Sequence, residues 1–170
     1  MAKKKYQKKN VLKAIGRYHR ITISRINTLV GSSEGLNLAG QQNAYDLSHI
    51  LTGTSPYQEL GKQFAFVKLR GVYVEVCPCS MGTGSGMCCL ALQQAEEPNN
   101  QGVYGQPNVI PVSEVQNTKR YIKIGGTWEP TNALNSISNL RLAFQVLQNF
   151  NVNKYWNVLV KLYLTFKSNL

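Results

Sequence analysis

The sequence predicts an all-β domain: an eight-stranded antiparallel jelly-roll sandwich of two Greek-key sheets, with short helical turns and a basic N-terminal arm. Three observations lead there. Apolar and polar residues alternate with period two in run after run, as in strands that bury one face. Fourteen glycines and six prolines fall between runs rich in Val, Ile, Leu, Tyr, Phe and Thr, and long helix-forming stretches are missing. Charge is segregated as well: nine of the nineteen Lys and Arg, and none of the eight Asp and Glu, lie in the first 25 residues, leaving ten cations against eight anions over the other 145. A near-neutral body with a basic arm concentrates its affinity for polyanions in one segment. At 170 residues the chain is expected to form a single domain, residues 17–170, behind an arm of residues 1–16.

Residues 1–16 show no sustained apolar periodicity and bury too little to offset the entropy of ordering them, so the arm is expected to be mobile until bound. The first strand begins at Tyr18, with Ile21 and Ile23 alternating against Thr22 and Ser24. A change of phase near Arg25-Ile26 predicts a bulge. Gly31 to Asn43 reads as a polar loop, and Ala44 to Leu51 as a second strand containing His49. Thr54 to Phe64 reads as a short helix with Ser55 as N-cap and Pro56 at the first helical position.

Phe66 to Val76 is the third strand, with Val72, Val74 and Val76 on one face and Tyr73 and Glu75 on the other, ended by Pro78. Ser80 to Gly86 lacks the Gly-Lys-Ser/Thr of a phosphate loop and leads into the strand-like Met87 to Leu92, so it reads as a turn. Glu96 to Pro107 is a surface loop, and Pro111 to Asn117 a helical turn. Lys119 to Ile124 alternates Ile122 and Ile124 against Tyr121 and Lys123, closes at Gly125-Gly126, and is followed by an extended piece, Thr127 to Pro130. Leu140, Leu142, Phe144 and Val146 keep strict alternation between Ser138 and Gln148. In the last strand Val158, Val160, Leu162, Leu164 and Phe166 face one way, and Asn157, Leu159, Lys161, Tyr163, Thr165 and Lys167 the other. Long loops favour the jelly roll over an up-and-down barrel, whose connections are mostly tight hairpins.

Little in the chain points to catalysis. His19 and His49 are the only histidines, and no paired-carboxylate or His-x-His pattern occurs, so no enzyme activity, catalytic residue or cofactor is expected. Cys77, Cys79, Cys88 and Cys89 are spaced as C-P-C and C-C, which fits zinc poorly. They read as small buried thiols at strand ends, and a disulfide among them would need an oxidising setting. No apolar run approaches the ~20 residues of a membrane span, and the first residues lack the apolar core of a signal peptide, so the expected setting is cytoplasm or nucleus, without a membrane partner.

The arm has a definite chemistry. Lys3, Lys4, Lys5, Lys8, Lys9 and Lys13, followed by Arg17, Arg20 and Arg25, bind phosphates by releasing counterions. If all nine met a single strand, log affinity would fall with log salt with a slope of about −6, using ~0.7 per phosphate. Tyr6 and Tyr18 are candidates for base stacking, and Lys3 to Lys9 also suits a nuclear import signal.

The Lys-rich arm running directly into the first strand, then Tyr45-Asp-Leu-Ser-His-Ile-Leu51, a Ser-Pro-Tyr helix and Phe66-Val-Lys-Leu-Arg-Gly-Val-Tyr-Val-Glu-Val-Cys-Pro78, resembles the single jelly-roll capsid proteins of small icosahedral viruses. The nearest likeness is to the coat proteins of circular single-stranded DNA viruses that encode a replication initiator. Coats of small satellite RNA viruses are similar in size and layout, so the choice of DNA or RNA stays open. The resemblance implies a subunit that assembles with identical copies into a T=1-type shell, packages single-stranded nucleic acid, and resides in the virion after assembly in the host nucleus or cytoplasm. It also allows a host surface receptor as a partner. It implies that the first, fourth, sixth and eighth strands form the sheet nearer the interior. Lys161, Tyr163 and Lys167, with Arg17, Arg20 and Arg25, would then face the genome, while the loops at Ser80 to Gly86 and Glu96 to Pro107 would lie at symmetry axes or on the outer surface. A cellular, ribosomal-like nucleic-acid-binding protein is the rival reading, and the near-neutral body counts against it, since such proteins spread basic residues over the folded surface.

Overall fold

The computed structural model describes residues 18–42, 44–79, 86–94, 102–134, 137 and 139–168. In chain order its elements are β1 (Tyr18–Ser32), β2 (Gly35–Leu38), β3 (Gln41–Gln42), β4 (Ala44–Asp46), α1 (Ser48–Thr52), α2 (Ser55–Gln63), β5 (Phe66–Pro78), β6 (Met87–Gln94), β7 (Ile110–Val112), β8 (Thr118–Lys123), β9 (Glu129–Pro130), β10 (Leu140–Gln148) and β11 (Lys154–Lys167). They form two antiparallel sheets. The larger runs β3-β2-β1-β11-β5-β8, with β9 also paired to β5, and the smaller runs β4-β10-β6-β7.

Take only β1, β4, β5, β6, β7, β8, β10 and β11 as the principal strands. One sheet then reads first, eighth, third, sixth, and the other second, seventh, fourth, fifth. First lies beside last, second beside second-last, and so inward, as when one long hairpin is wound into two Greek keys. The fold is a jelly roll. The expected membership of the larger sheet needs one correction: the third principal strand, β5, lies beside the last, and the fourth, β6, belongs to the other sheet. Burial explains the exchange. Cys88 to Gln93 of β6 are buried on both faces, whereas β5 buries one face only.

Alternation in β11 sets the core. Lys154, Trp156, Val158, Val160, Leu162, Leu164 and Phe166 are buried, and the residues between them face away. Val67, Leu69, Val72, Val74 and Val76 of β5 join them from the neighbouring strand, and Leu90, Leu92, Leu142 and Phe144 from the opposite sheet. Tyr57 of α2 closes one end, its ring 5.8 Å from Phe166 and its hydroxyl donating to the Thr131 carbonyl at 3.2 Å. Burial, followed by the charge of Glu129, raises its phenol from 10.0 to about 12. At the other end Lys154 pairs with Glu114 at 3.0 Å, and Trp156 donates from Nε1 to the Ser113 carbonyl.

Several local expectations change. The second strand stops at Asp46, and Ser48–Thr52 is helical, because Leu47, Ile50 and Leu51 repeat at helical spacing and all three are buried. His49 therefore sits on α1. The polar loop from Gly31 holds β2 and β3. The N-cap of α2 is Thr54, whose hydroxyl donates back to Leu51, and Pro56 lies in the first turn. The helical turn expected after Pro111 is instead β7 followed by a bend in which the Ser113 hydroxyl accepts from the amides of Val115 and Gln116.

No bulge occurs at Arg25-Ile26, since β1 pairs with β11 from Tyr18–Lys167 to Gly31–Lys154 without a slip. The change of phase arises because Arg25 points to the core side and Ile26, 65% exposed, to the open side. The shift in register lies in β5, where Gly71 pairs with Tyr163 and Leu69 with Leu164. Of the cysteines, Cys88 and Cys89 are buried, Cys77 is half-buried and Cys79 exposed, and all are free thiols. Burial pushes the Cys88 thiol from 9.0 up to about 12 and also raises Cys89. The turn at residues 80–85 and the loop at 96–101 lie outside the described residues.

Leu162 is fully buried at the centre of β11, so Leu162→Ala should cost about 2–5 kcal/mol in denaturant unfolding, and Leu162→Lys should prevent folding. Lys161→Ala, on the other face, should leave the midpoint within about 0.5 kcal/mol of the parent.

Candidate nucleic-acid interface

The two sheets differ in what covers their outer faces. Against the smaller sheet, Val103 and Val109 pack on Cys89, Ala91 and Ala143. The loop carrying them is tied down by Arg120, which donates to the carbonyls of Val109 and Pro107, and by Asn108, which donates to Leu92. Among the described residues the larger sheet has an open outer face, and its composition follows from strand pairing. Side chains directly across adjacent strands share a face, so Arg20, Thr165 and Lys68 form one row, Thr22, Tyr163, Gly71 and Lys123 a second, and Ser24, Lys161, Tyr73 and Tyr121 a third. Leu159, Glu75 and Lys119 continue the series.

Among the described residues the result is seven cations, Arg20, Lys68, Arg70, Lys119, Lys123, Lys161 and Lys167, around a single carboxylate, Glu75. Six of the seven belong to the body beyond residue 25, whose near-neutral total therefore hides a strongly polarised surface. Aromatic rings lie between the charges. Lys161 Nζ stands 5.2 Å from the centre of the Tyr73 ring and Lys167 Nζ 5.9 Å from that of Trp128. Tyr18 and Trp128 are 5.9 Å apart, and Tyr121 meets Tyr163 edge-on at 5.6 Å. Tyr73 donates to Glu75 at 2.9 Å. Partial desolvation, then this hydrogen bond and the Glu75 charge, raise its phenol above the ordinary value.

Gly71 makes room for this layer. A Cβ there would collide with the Tyr121 hydroxyl, so only glycine lets that ring lie over the sheet. Two open depressions result. One, of about 430 Å³, is lined by Tyr18, Arg20, Lys68, Arg70, Lys123, Trp128 and Thr165; the other, of about 520 Å³, by Arg20, Thr22, Arg70, Tyr121 and Tyr163 among others. They share Arg20 and Arg70. Cations beside exposed rings suit phosphates and unpaired bases, and such binding needs no sequence code. Among the described residues there is no cluster of three or more His, Cys, Asp and Glu fit to hold a metal ion.

Among the residues singled out from sequence, Arg20, Lys161, Tyr163 and Lys167 come together on this face. Arg25 does not join them: it leaves β1 on the opposite side, where Nη1 donates to the His49 carbonyl at 3.3 Å. Lys3, Lys4, Lys5, Lys8, Lys9, Lys13 and Arg17 lie outside the described residues. Sequence reasoning passed over Lys68, Arg70, Lys119 and Lys123, and the rings of Tyr73, Tyr121 and Trp128. Alternation had already put Tyr121 with Lys123, but only the pairing of β8 with β5 joins them to Lys161.

No protein-family model matches the chain, and no curated protein matches it. Solved structures do. Cocksfoot mottle virus aligns with a TM-score of 0.63 at 8% identity, over 90% of this chain and 96% of that one. Mud crab tombus-like virus gives 0.61 at 8% identity, covering 89% and 81%. A decameric BFDV capsid protein gives 0.55 at 11%, covering 89% and all of its own chain. The shared feature is the jelly roll. At such identities the likeness speaks for the fold, and the side chains described above are this chain's own.

Gly71→Ala should turn the exposed Tyr121 ring off the sheet while moving the unfolding free energy by less than about 1 kcal/mol, with the displaced ring read from tyrosine emission. Gly125→Ala, with nothing within 4 Å of the added carbon, should change the urea midpoint little.

Proposed function

We propose that the chain is a viral capsid subunit that assembles with identical copies into a small, T=1-type icosahedral shell around single-stranded nucleic acid. The observation that carries the reading is the one-sided jelly roll: one sheet covered on its outer face, the other open and bearing seven cations against one carboxylate. In a closed shell that open face turns inward, where packaged phosphates neutralise it. The basic segment 1–16 adds a second, sequence-independent attachment through counterion release, and residues 17–170 build the wall. Circular single-stranded DNA is the favoured cargo, on the resemblance of the arm, the Ser-Pro-Tyr helix and the β5 segment to coats of replication-initiator-encoding viruses. Fold likeness to a BFDV capsid protein, and equally to the Cocksfoot mottle virus and mud crab tombus-like virus structures, supports a capsid without choosing the cargo. The same basic face would also serve a cellular nucleic-acid-binding protein, and assembly separates the two.

Electron microscopy of the purified recombinant protein should show uniform closed shells. A monomer at every salt and concentration would sink the proposal. Deleting residues 2–13 should leave the body folded, reduce nucleic-acid uptake, and flatten the slope of log affinity against log salt by about four, using ~0.7 for each of the six lysines removed. Neutralising Lys68, Arg70 and Lys123 to Gln should flatten it by about two. An unchanged slope in either variant would remove that segment from the interface.

A further inference from the structure

The depression beside Trp128 on the open face contains a group that phosphate binding alone leaves unused. Thr165 lies between Arg20 and Lys68 in the cross-strand row and lines the depression flanked by Tyr18 and Trp128. It is only 5% exposed, and its hydroxyl, closed off from solvent, has no hydrogen-bond partner among the described residues. A buried hydroxyl left unpaired costs free energy that a polar ligand would recover. The same depression brings together the rings of Tyr18 and Trp128 and the cations of Arg20, Lys68, Arg70 and Lys123. Trp128 is 38% exposed and keeps part of its ring free, while Lys167 approaches it at 5.9 Å.

We infer that this depression is a subsite for one nucleotide of an unpaired strand: the base stacks on Trp128, its polar edge reaches the Thr165 hydroxyl once the side chains over it move aside, and the flanking phosphate lies on Arg20 and Arg70. Inorganic phosphate would satisfy only the cations. A duplex would not enter, because its bases are already stacked on one another. Arg20 and Arg70 also border the second depression, which ends at Tyr121 and Tyr163, so the strand would continue along β11. Residues 163 and 167 are about 13 Å apart at the usual strand rise. Successive stacked bases sit about 3.4 Å apart, so bases on the two aromatic platforms would be unstacked from each other.

The inference rests on the genome-facing reading of this sheet, but its test separates the two. Trp156 is 2% exposed, so contact quenching of tryptophan emission reports on Trp128. Full-length protein would be titrated with an eight-nucleotide single-stranded DNA, an abasic oligomer of the same length, and inorganic phosphate. The DNA should quench emission; the abasic oligomer should bind, by anisotropy, without matching that quench; phosphate should do neither. Trp128→Phe should abolish the quench while keeping binding, and Trp128→Ala should weaken binding at least about tenfold. Thr165→Val should shift the quench midpoint several-fold to higher DNA concentration, and Thr165→Ser should restore it. Equal quenching by DNA and abasic oligomer, or a midpoint unmoved in Thr165→Val, would overturn the subsite while leaving shell assembly and bulk uptake intact. Absence of shells would instead strike the capsid reading.

Discussion

The register between β1 and β11 is the constraint on which the rest depends. Fourteen successive residues of each strand pair without a slip. Side chains alternate with period two, so moving β11 by one residue would turn Val158 through Phe166 to solvent and Lys161 into the core. Burying that ammonium unpaired would cost several kcal/mol, and exposing the apolar row about 1.5–3 kcal/mol for each side chain. The same alternation therefore specifies both the packing of the sandwich and the charge of its open face. β5 takes its phase from β11, and β8 takes its phase from β5, so the polarity of one strand propagates across the sheet.

An open face with seven cations is electrostatically unfavourable for an isolated subunit, although salt screens the repulsion over about 8 Å at physiological ionic strength. Aromatic rings beneath Lys161 and Lys167 offset part of it, since a ring face attracts an ammonium. A polyanion would relieve the remainder. The smaller sheet has no such face, because the segment around Val103 and Val109 seals it with apolar contacts. The molecule is thus polarised between a covered side and a charged side.

Much of this was legible in the sequence where a strand carries its own alternation. β5, β10 and β11 stand close to where period two puts them, β6 falls on the continuous apolar run read as a strand, and the apolar row of β11 is the row found in the core. Short segments were less legible. Leu47, Ile50 and Leu51 fit a helix turn as well as a strand when only a few residues are considered, and β2 and β3 are too short and polar to announce themselves. The face was half legible. Arg20, Lys161, Tyr163 and Lys167 follow from their own strands, whereas Lys68, Lys119 and Lys123 join them only through long-range pairing, which no local pattern encodes. Arg25 shows the converse: five residues from Arg20, it falls on the opposite side of the strand and spends its charge on the His49 carbonyl.

The irregularity in β5 ties packing to surface chemistry. Val67 and Leu69 are buried at odd positions, and Val72, Val74 and Val76 at even ones, so the strand must take up one extra residue to keep both sets inside. The register shift between Leu69 and Gly71 does so, and the residue it frees is Arg70, which is exposed. Arg70 has no partner in β11, while its carbonyl accepts from the Ile124 amide at 2.9 Å; it lines both depressions, and Gly71 beside it leaves the space that Tyr121 fills. A regular strand would have sent either Leu69 or Val72 outward. The bulge that completes the core is therefore also what sets a cation between the two aromatic platforms.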